Sequence, residues 1–180
     1  MKHKHRWMLA AALLSVAALG LWRLPVQADG AYVAQIPDFK LQDPSGAEHT
    51  DEQIAGQNGT VIIVTIPNVK HGETQGRWSR WLTKDGWPEN GPHFVMIEDL
   101  EQSAVREKAL ESMKEKFKPG QKPLLLLDHA GEVRRAFRVP QDETVVMIFN
   151  KDGALVKFYN DKPTLEDAKD ARKLIQSMAK

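Results

Sequence analysis

Lys70, His71 and Glu73 place an amine, an imidazole and a carboxylate within four positions, just past the apolar run 60–66. An imidazole is the side chain best suited to moving protons near neutrality, and the commonest metal ligand. A metal site needs several such groups to converge. Beyond residue 28 the histidines are His49, His71, His93 and His129, and none has the i, i+4 or H-x-H spacing that presets a site. His71 and His129 each follow an apolar run, so they would share one edge of a parallel sheet. His93 precedes its run and would lie at the opposite edge. A small ligand or metal held by His71 with His129 is therefore an alternative reading. The plainer reading of 67–73 is a solvated loop. No cofactor is predicted.

Other chemistries lack their residues. The sequence has no cysteine, which removes thiol peroxidase, disulfide exchange and thiolate–metal chemistry together. Ser79 and Ser103 stand in no G-x-S-x-G context, so acyl transfer has no nucleophile elbow. Glu98-Asp99 is a carboxylate pair, but adjacent acids at a strand end are expected to be solvated. There is no glycine-rich phosphate loop. No catalytic residue is predicted; the chain reads as a non-enzyme, with an enzyme that uses an unrecognised acid–base group as a further alternative.

The elements that must position these groups are legible in the hydrophobic pattern. The runs 60–66, 94–97 and 123–127 are short and continuously apolar, as in strands buried on both faces. Between them, Trp78, Trp81 and Leu82 recur at helical spacing over 73–83, and Val105, Ala109, Met113 and Phe117 over 101–117. The tryptophans are expected to pack on the sheet, with Arg77 and Arg80 on the solvent side. A short helix over 132–138 turns Val133, Ala136 and Phe137 inward. Asp152-Gly153 between two apolar runs signals a hairpin of 144–149 with 154–158. Thr164 and Asp167 stand at capping-box spacing ahead of a last helix. Strand–helix alternation implies parallel pairing through right-handed crossovers, and the hairpin adds antiparallel strands on the other side. Asp43-Pro44-Ser45-Gly46 turns the lead-in back on itself, as a short hairpin or extended segment.

The first residues belong to another purpose. Lys2, Lys4 and Arg6 precede an uncharged Ala- and Leu-rich stretch, 7–22, and then Val26-Gln27-Ala28. This is the layout of a secretory signal cleaved after Ala28. The apolar stretch is shorter than the roughly 20 residues of a spanning helix. The expected organisation is signal 1–28, linker 29–36 and one α/β domain over 37–180, exported to the periplasm of a Gram-negative bacterium. The membrane is met only through the signal, if it is retained. The signal carries four basic and no acidic residues. Its loss leaves 21 basic against 24 acidic, near −3 rather than the +1 of the whole chain. That balance disfavours a nucleic-acid partner.

The ordered set "PDFKLQDPSGAEHT", "VIIVTIP", "PLLLLDHAGEVRRAFRVP" and "VVMIFNKDGALVKF" resembles the thioredoxin-like superfamily, in its redoxin branch of peroxiredoxins and periplasmic thioredoxins. It is similar also to the cysteine-poor YtfJ family of periplasmic proteins. The resemblance spans about 36–180 and implies a thioredoxin-like three-layer α/β/α sandwich, with a mixed sheet of five core strands and an N-terminal extended lead-in. It also locates the departures. Where redox members carry a catalytic cysteine, this chain reads Pro67-Asn68-Val69-Lys70-His71-Gly72-Glu73. Sco-type copper chaperones, similar in fold, use two cysteines with a histidine, and those cysteines are missing. Near the cis-proline position stands Glu143, with Pro140 three residues early and Thr144 opening the next strand.

The expected function is that of a redox-inactive, exported module that binds a periplasmic protein or peptide without catalysis. The expected binding edge is that of the lost active site: Asn68, Lys70, His71, Glu73, Pro140, Glu143 and Thr144. That expectation rests on analogy of fold.

Overall fold

The computed structural model describes residues 33–160 and 162–179; the signal expected over 1–28 lies outside them. β1 (Lys40–Gln42) and β2 (Glu48–Thr50) form a hairpin, followed by the single turn α1 (Asp51–Ile54). Asp43 builds the hairpin turn: its Oδ1 accepts from the backbone N–H and hydroxyl of Ser45 and from Ala47 N. Then come β3 (Thr60–Thr65), α2 (Val69–Thr83), β4 (His93–Asp99), α3 (Arg106–Lys116), β5 (Leu124–Asp128) and α4 (Glu132–Ala136). β6 (Val145–Phe149), β7 (Leu155–Tyr159) and α5 (Leu165–Met178) complete the chain.

The sheet order is β2-β1-β5-β4-β3-β6-β7. β3, β4 and β5 are parallel, and β6 runs antiparallel to β3 and β7. The parallel triple and final hairpin are as the sequence pattern implies. The sheet has seven strands rather than five, because the lead-in hairpin joins its edge through Gln42 and Leu127. The linker expected over 29–36 is also corrected at its end. Ile36 N donates to Gly153 O and Leu155 N to Ala34 O, while Val33 and Ile36 pack on the core, so these residues belong to the domain.

β3 shows why a continuous apolar run was needed. Ile62 and Val64 enter one core with Ile54, Val133 and Phe137, whereas Val61 and Ile63 enter the other with Trp78, Leu82, Ala171 and Ile175. A strand buried on both faces has no polar side to alternate with. The tryptophans pack as expected. Trp78 is fully buried edge-on to Trp81, and Trp87 stacks on Phe94.

Two helices depart from their sequence patterns. α2 begins at Val69 rather than 73, because the Asn68 side chain accepts from His71 N and caps it. α3 begins at Arg106, not 101. Asp99 Oδ1 accepts from the N–H groups of Glu101 and Gln102, which holds that stretch as a turn. The inward stripe expected there is not buried either: α3 has no buried residue, and Val105 is exposed.

Candidate functional site

The carboxyl ends of β3 and β4, the first turn of α2 and the segment 138–144 meet at one edge of the sheet. His71 is the third helical residue of α2, so its side chain turns under the helix rather than into a loop. It is only 1% exposed, which corrects the solvated-loop reading. Its Nδ1 lies 3.0 Å from Thr144 Oγ1 and its Nε2 2.9 Å from Asp142 Oδ1. Thr144 Oγ1 lies 2.9 Å from Thr65 Oγ1, and Lys70 Nζ donates to Asp142 Oδ2 at 2.7 Å. A continuous chain therefore runs Lys70–Asp142–His71–Thr144–Thr65 from surface to core.

Asp142 is the member the sequence pattern missed. It adopts φ +60°, a left-handed conformation for which Asp and Asn are enriched among non-glycine residues. The Asp142-Glu143 pair just ahead of an apolar strand was the only signal. The ammonium of Lys70, then His71, hold its carboxyl down at about 2.

Arg134 fixes the segment that carries Asp142. Its guanidinium is buried, with Nε donating to Asp99 Oδ2 at 2.6 Å. Nη1 donates to the carbonyls of Pro140, 2.7 Å, and Glu143, 3.0 Å. Pro140 and Glu143 thus contribute backbone to Arg134, and neither side chain bonds to His71. Thr144, not Glu143, makes the contact to His71. The cis X–Pro bond among the described residues is Lys122–Pro123. Asp128, buried below α4, accepts from the N–H groups of Glu132, Val133 and Arg134; burial raises its carboxyl pKa against those donors.

The carboxylate pair expected in solvent is buried. Glu98 and Asp99 are 3% and 0% exposed. Glu98 is the register partner of Thr65, and its Oε1 accepts from Gln75 Nε2 at 2.6 Å. Its Oε2 has no partner, and burial pushes its pKa up to about 7. Of the remaining candidates, Asn68 is the cap of α2, and Glu73 is exposed on the helix. His129 is exposed and lies 3.4 Å from Arg106 Nη2, with no bond to His71. Among the described residues, no group of three His, Asp or Glu side chains is gathered for a metal ion.

Chemically, this arrangement resembles a hydroxyl–imidazole–carboxylate relay. Such a relay acts on substrate only if the hydroxyl is accessible. Thr144 is fully buried and bonded to both His71 and Thr65, which makes the chain a brace. At its rim stands Val69, 83% exposed at the first position of α2.

No family model and no curated protein matches the chain. Solved structures do. A hypothetical protein from Sinorhizobium meliloti superposes with TM-score 0.64 at 16% identity, over 82% of this chain and 84% of that one. Peroxiredoxin Q from Xanthomonas campestris gives 0.59 at 16%, over 83% and 99%. The pneumococcal exposed lipoprotein thioredoxin from Streptococcus pneumoniae gives 0.54 at 14%, over 76% and 98%. The fold is thioredoxin-like. Within this fold, the edge described above is built without a single cysteine.

Proposed function

We propose that this protein is an exported, redox-inactive thioredoxin-like module that binds a protein or extended peptide of the periplasm without catalysis. The binding edge comprises Val69, Lys70, Gly72 and the segment 139–144. One observation carries this reading. The polar groups of the edge are bonded to one another in the brace from Lys70 to Thr65, while a large apolar side chain, Val69, is left facing solvent beside them. A reactive site keeps a nucleophile or base available to substrate. This edge instead offers a rigid, mixed apolar and charged surface, as a docking face does. Export is supported by the signal-like first 28 residues.

Photo-crosslinking in cells tests the proposal. A crosslinker is placed in turn at Val69, Gly72 and Gln141, all exposed, with exposed Lys173 on α5 as control. Discrete adducts at the three edge positions and none at Lys173 are the expected result. Absence of adducts at every edge position, or the same adducts at Lys173, would overturn it.

A further inference from the structure

The carboxylate at the outer end of the brace fixes the direction of every hydrogen bond behind it. Asp142 is held as an anion, so its oxygens only accept. His71 Nε2, 2.9 Å from Asp142 Oδ1, therefore carries a hydrogen. In the neutral ring this leaves Nδ1 an acceptor, and the Thr144 hydroxyl 3.0 Å away donates to it. Thr144 Oγ1 in turn accepts from the Thr65 hydroxyl at 2.9 Å. The neutral chain thus runs one way, Thr65 to Thr144 to His71 to Asp142.

The same atoms serve a charged ring. A proton on Nδ1 makes that nitrogen a donor, and Thr144 Oγ1 becomes its acceptor. Thr144 then turns its own hydrogen to Thr65, and the Thr65 hydrogen is released inward. No bond of the brace is lost on reversal. Behind Thr65 stands its register partner Glu98, with Oε2 buried and without a partner. The ring is faced from each side by one such group: Asp142 from the segment before β6, Lys70 of α2 through the other oxygen of Asp142, and Glu98 of β4 through Thr65. Glu73 is exposed on α2.

What changes is the outer bond, which gains the attraction of two opposite unit charges. The segment it holds needs fastening, since Arg138 and Asp142 both adopt positive φ, +55° and +60°. Such backbone persists in non-glycine residues only where surrounding contacts impose it.

We propose that His71 is a pH-operated clasp on the segment 138–144: a proton taken up at Nδ1 reverses the hydroxyl chain and turns the bond to Asp142 into an ion pair, which fastens the segment. As a control on docking, the clasp rests on the reading of this edge as a binding face; its chemistry rests on the brace alone.

Two readouts on the purified protein test it. Neither needs a partner, so the clasp can fail while the crosslinks form, or hold while they do not. Nitrogen-15 NMR of the imidazole should place the hydrogen of His71 on Nε2 at pH 8. A second should appear on Nδ1 as pH falls to 5, the range in which imidazoles change charge. Amide hydrogen exchange, corrected for the intrinsic rate at each pH, should show protection over 138–144 rising about fivefold or more from pH 8 to pH 5 relative to β3. Asp142→Asn should remove that rise. Glu98→Gln should keep it, which separates the clasp from ionisation of Glu98 itself. A hydrogen on Nδ1 at pH 8, a ring that takes up no proton by pH 5, or protection that does not rise would overturn the proposal. So would a rise that survives Asp142→Asn or disappears in Glu98→Gln.

Discussion

His71 Nε2 lies 2.9 Å from Asp142 Oδ1, although 71 positions separate the two residues in the chain. The contact ties the first turn of α2 to the segment before β6, and Lys70 closes it from outside. Because the bonds from Lys70 and His71 lower the Asp142 pKa to about 2 from 3.8, the folded state favours its carboxylate. The resulting stabilisation is complete above about 3.8 and is lost as pH falls toward 2. Asp142→Asn keeps a residue suited to positive φ but removes the charge. Urea unfolding of both proteins should show a stability difference at pH 5 that shrinks between pH 4 and pH 2. A difference unchanged at pH 2 would contradict this account of the brace.

Arg134→Met should be among the most damaging single substitutions. It strands the Asp99 carboxylate, fully buried, without its cation. Loss of one partner of a buried ion pair costs about 3–5 kcal/mol. It also frees the carbonyls of Pro140 and Glu143, so amide hydrogen exchange over 138–144 should accelerate more than in β3 or β4. Adding Asp99→Asn removes the stranded charge and keeps an acceptor for Glu101 and Gln102, and should recover part of the stability. If the double variant is no more stable than Arg134→Met alone, the charge is not what the guanidinium serves.

Gly59→Ala should destabilise by at least about 1–2 kcal/mol. Gly59 has φ +88°, and a Cβ there would run into the Phe149 carbonyl and the Met178 side chain. The methionine can swing aside, but the carbonyl belongs to β6 and cannot. An unchanged denaturation midpoint would show that the turn into β3 can relax.

Most of the fold was legible because β3, β4, β5 and β6 are buried on both faces, which leaves a continuous apolar signature. The lead-in was less so. β1 and β2 have three residues each, and their place in the sheet depends on a single register pair to β5 that no local pattern encodes. The same holds at the site. Asn68, Lys70, His71 and Thr144 could be placed at one edge by counting along strands. Burial of His71 could not, because it depends on α2 starting four residues early, and Gly72 argued against helix there. Arg134 and Asp99 were hidden for a related reason. Charged residues are read as surface unless paired, and their pairing crosses 35 positions of sequence.

Glu98 supplies a prediction of opposite sign to Asp142. It sits beside Thr65 at the end of β4, below Gln75 of α2, with Oε2 buried and without a partner. Burial raises its pKa from 4.5 to about 7, so the folded state favours the neutral acid. Its ionisation therefore opposes folding. Relative stability is whole below about 4.5, falls as pH rises toward 7, and levels off above that. Glu98→Gln keeps the size and an oxygen for Gln75 but cannot ionise. At pH 8 it should be more stable than the parent by up to roughly 3 kcal/mol, the equivalent of the pKa displacement. At pH 4 the gain should vanish, since both side chains are then neutral. Urea unfolding from pH 4 to pH 8 reads the difference directly. A flat difference across that range would mean that Glu98 is already ionised in the fold and finds a partner for Oε2, in which case the polar layer beneath α2 carries a fixed charge rather than a proton.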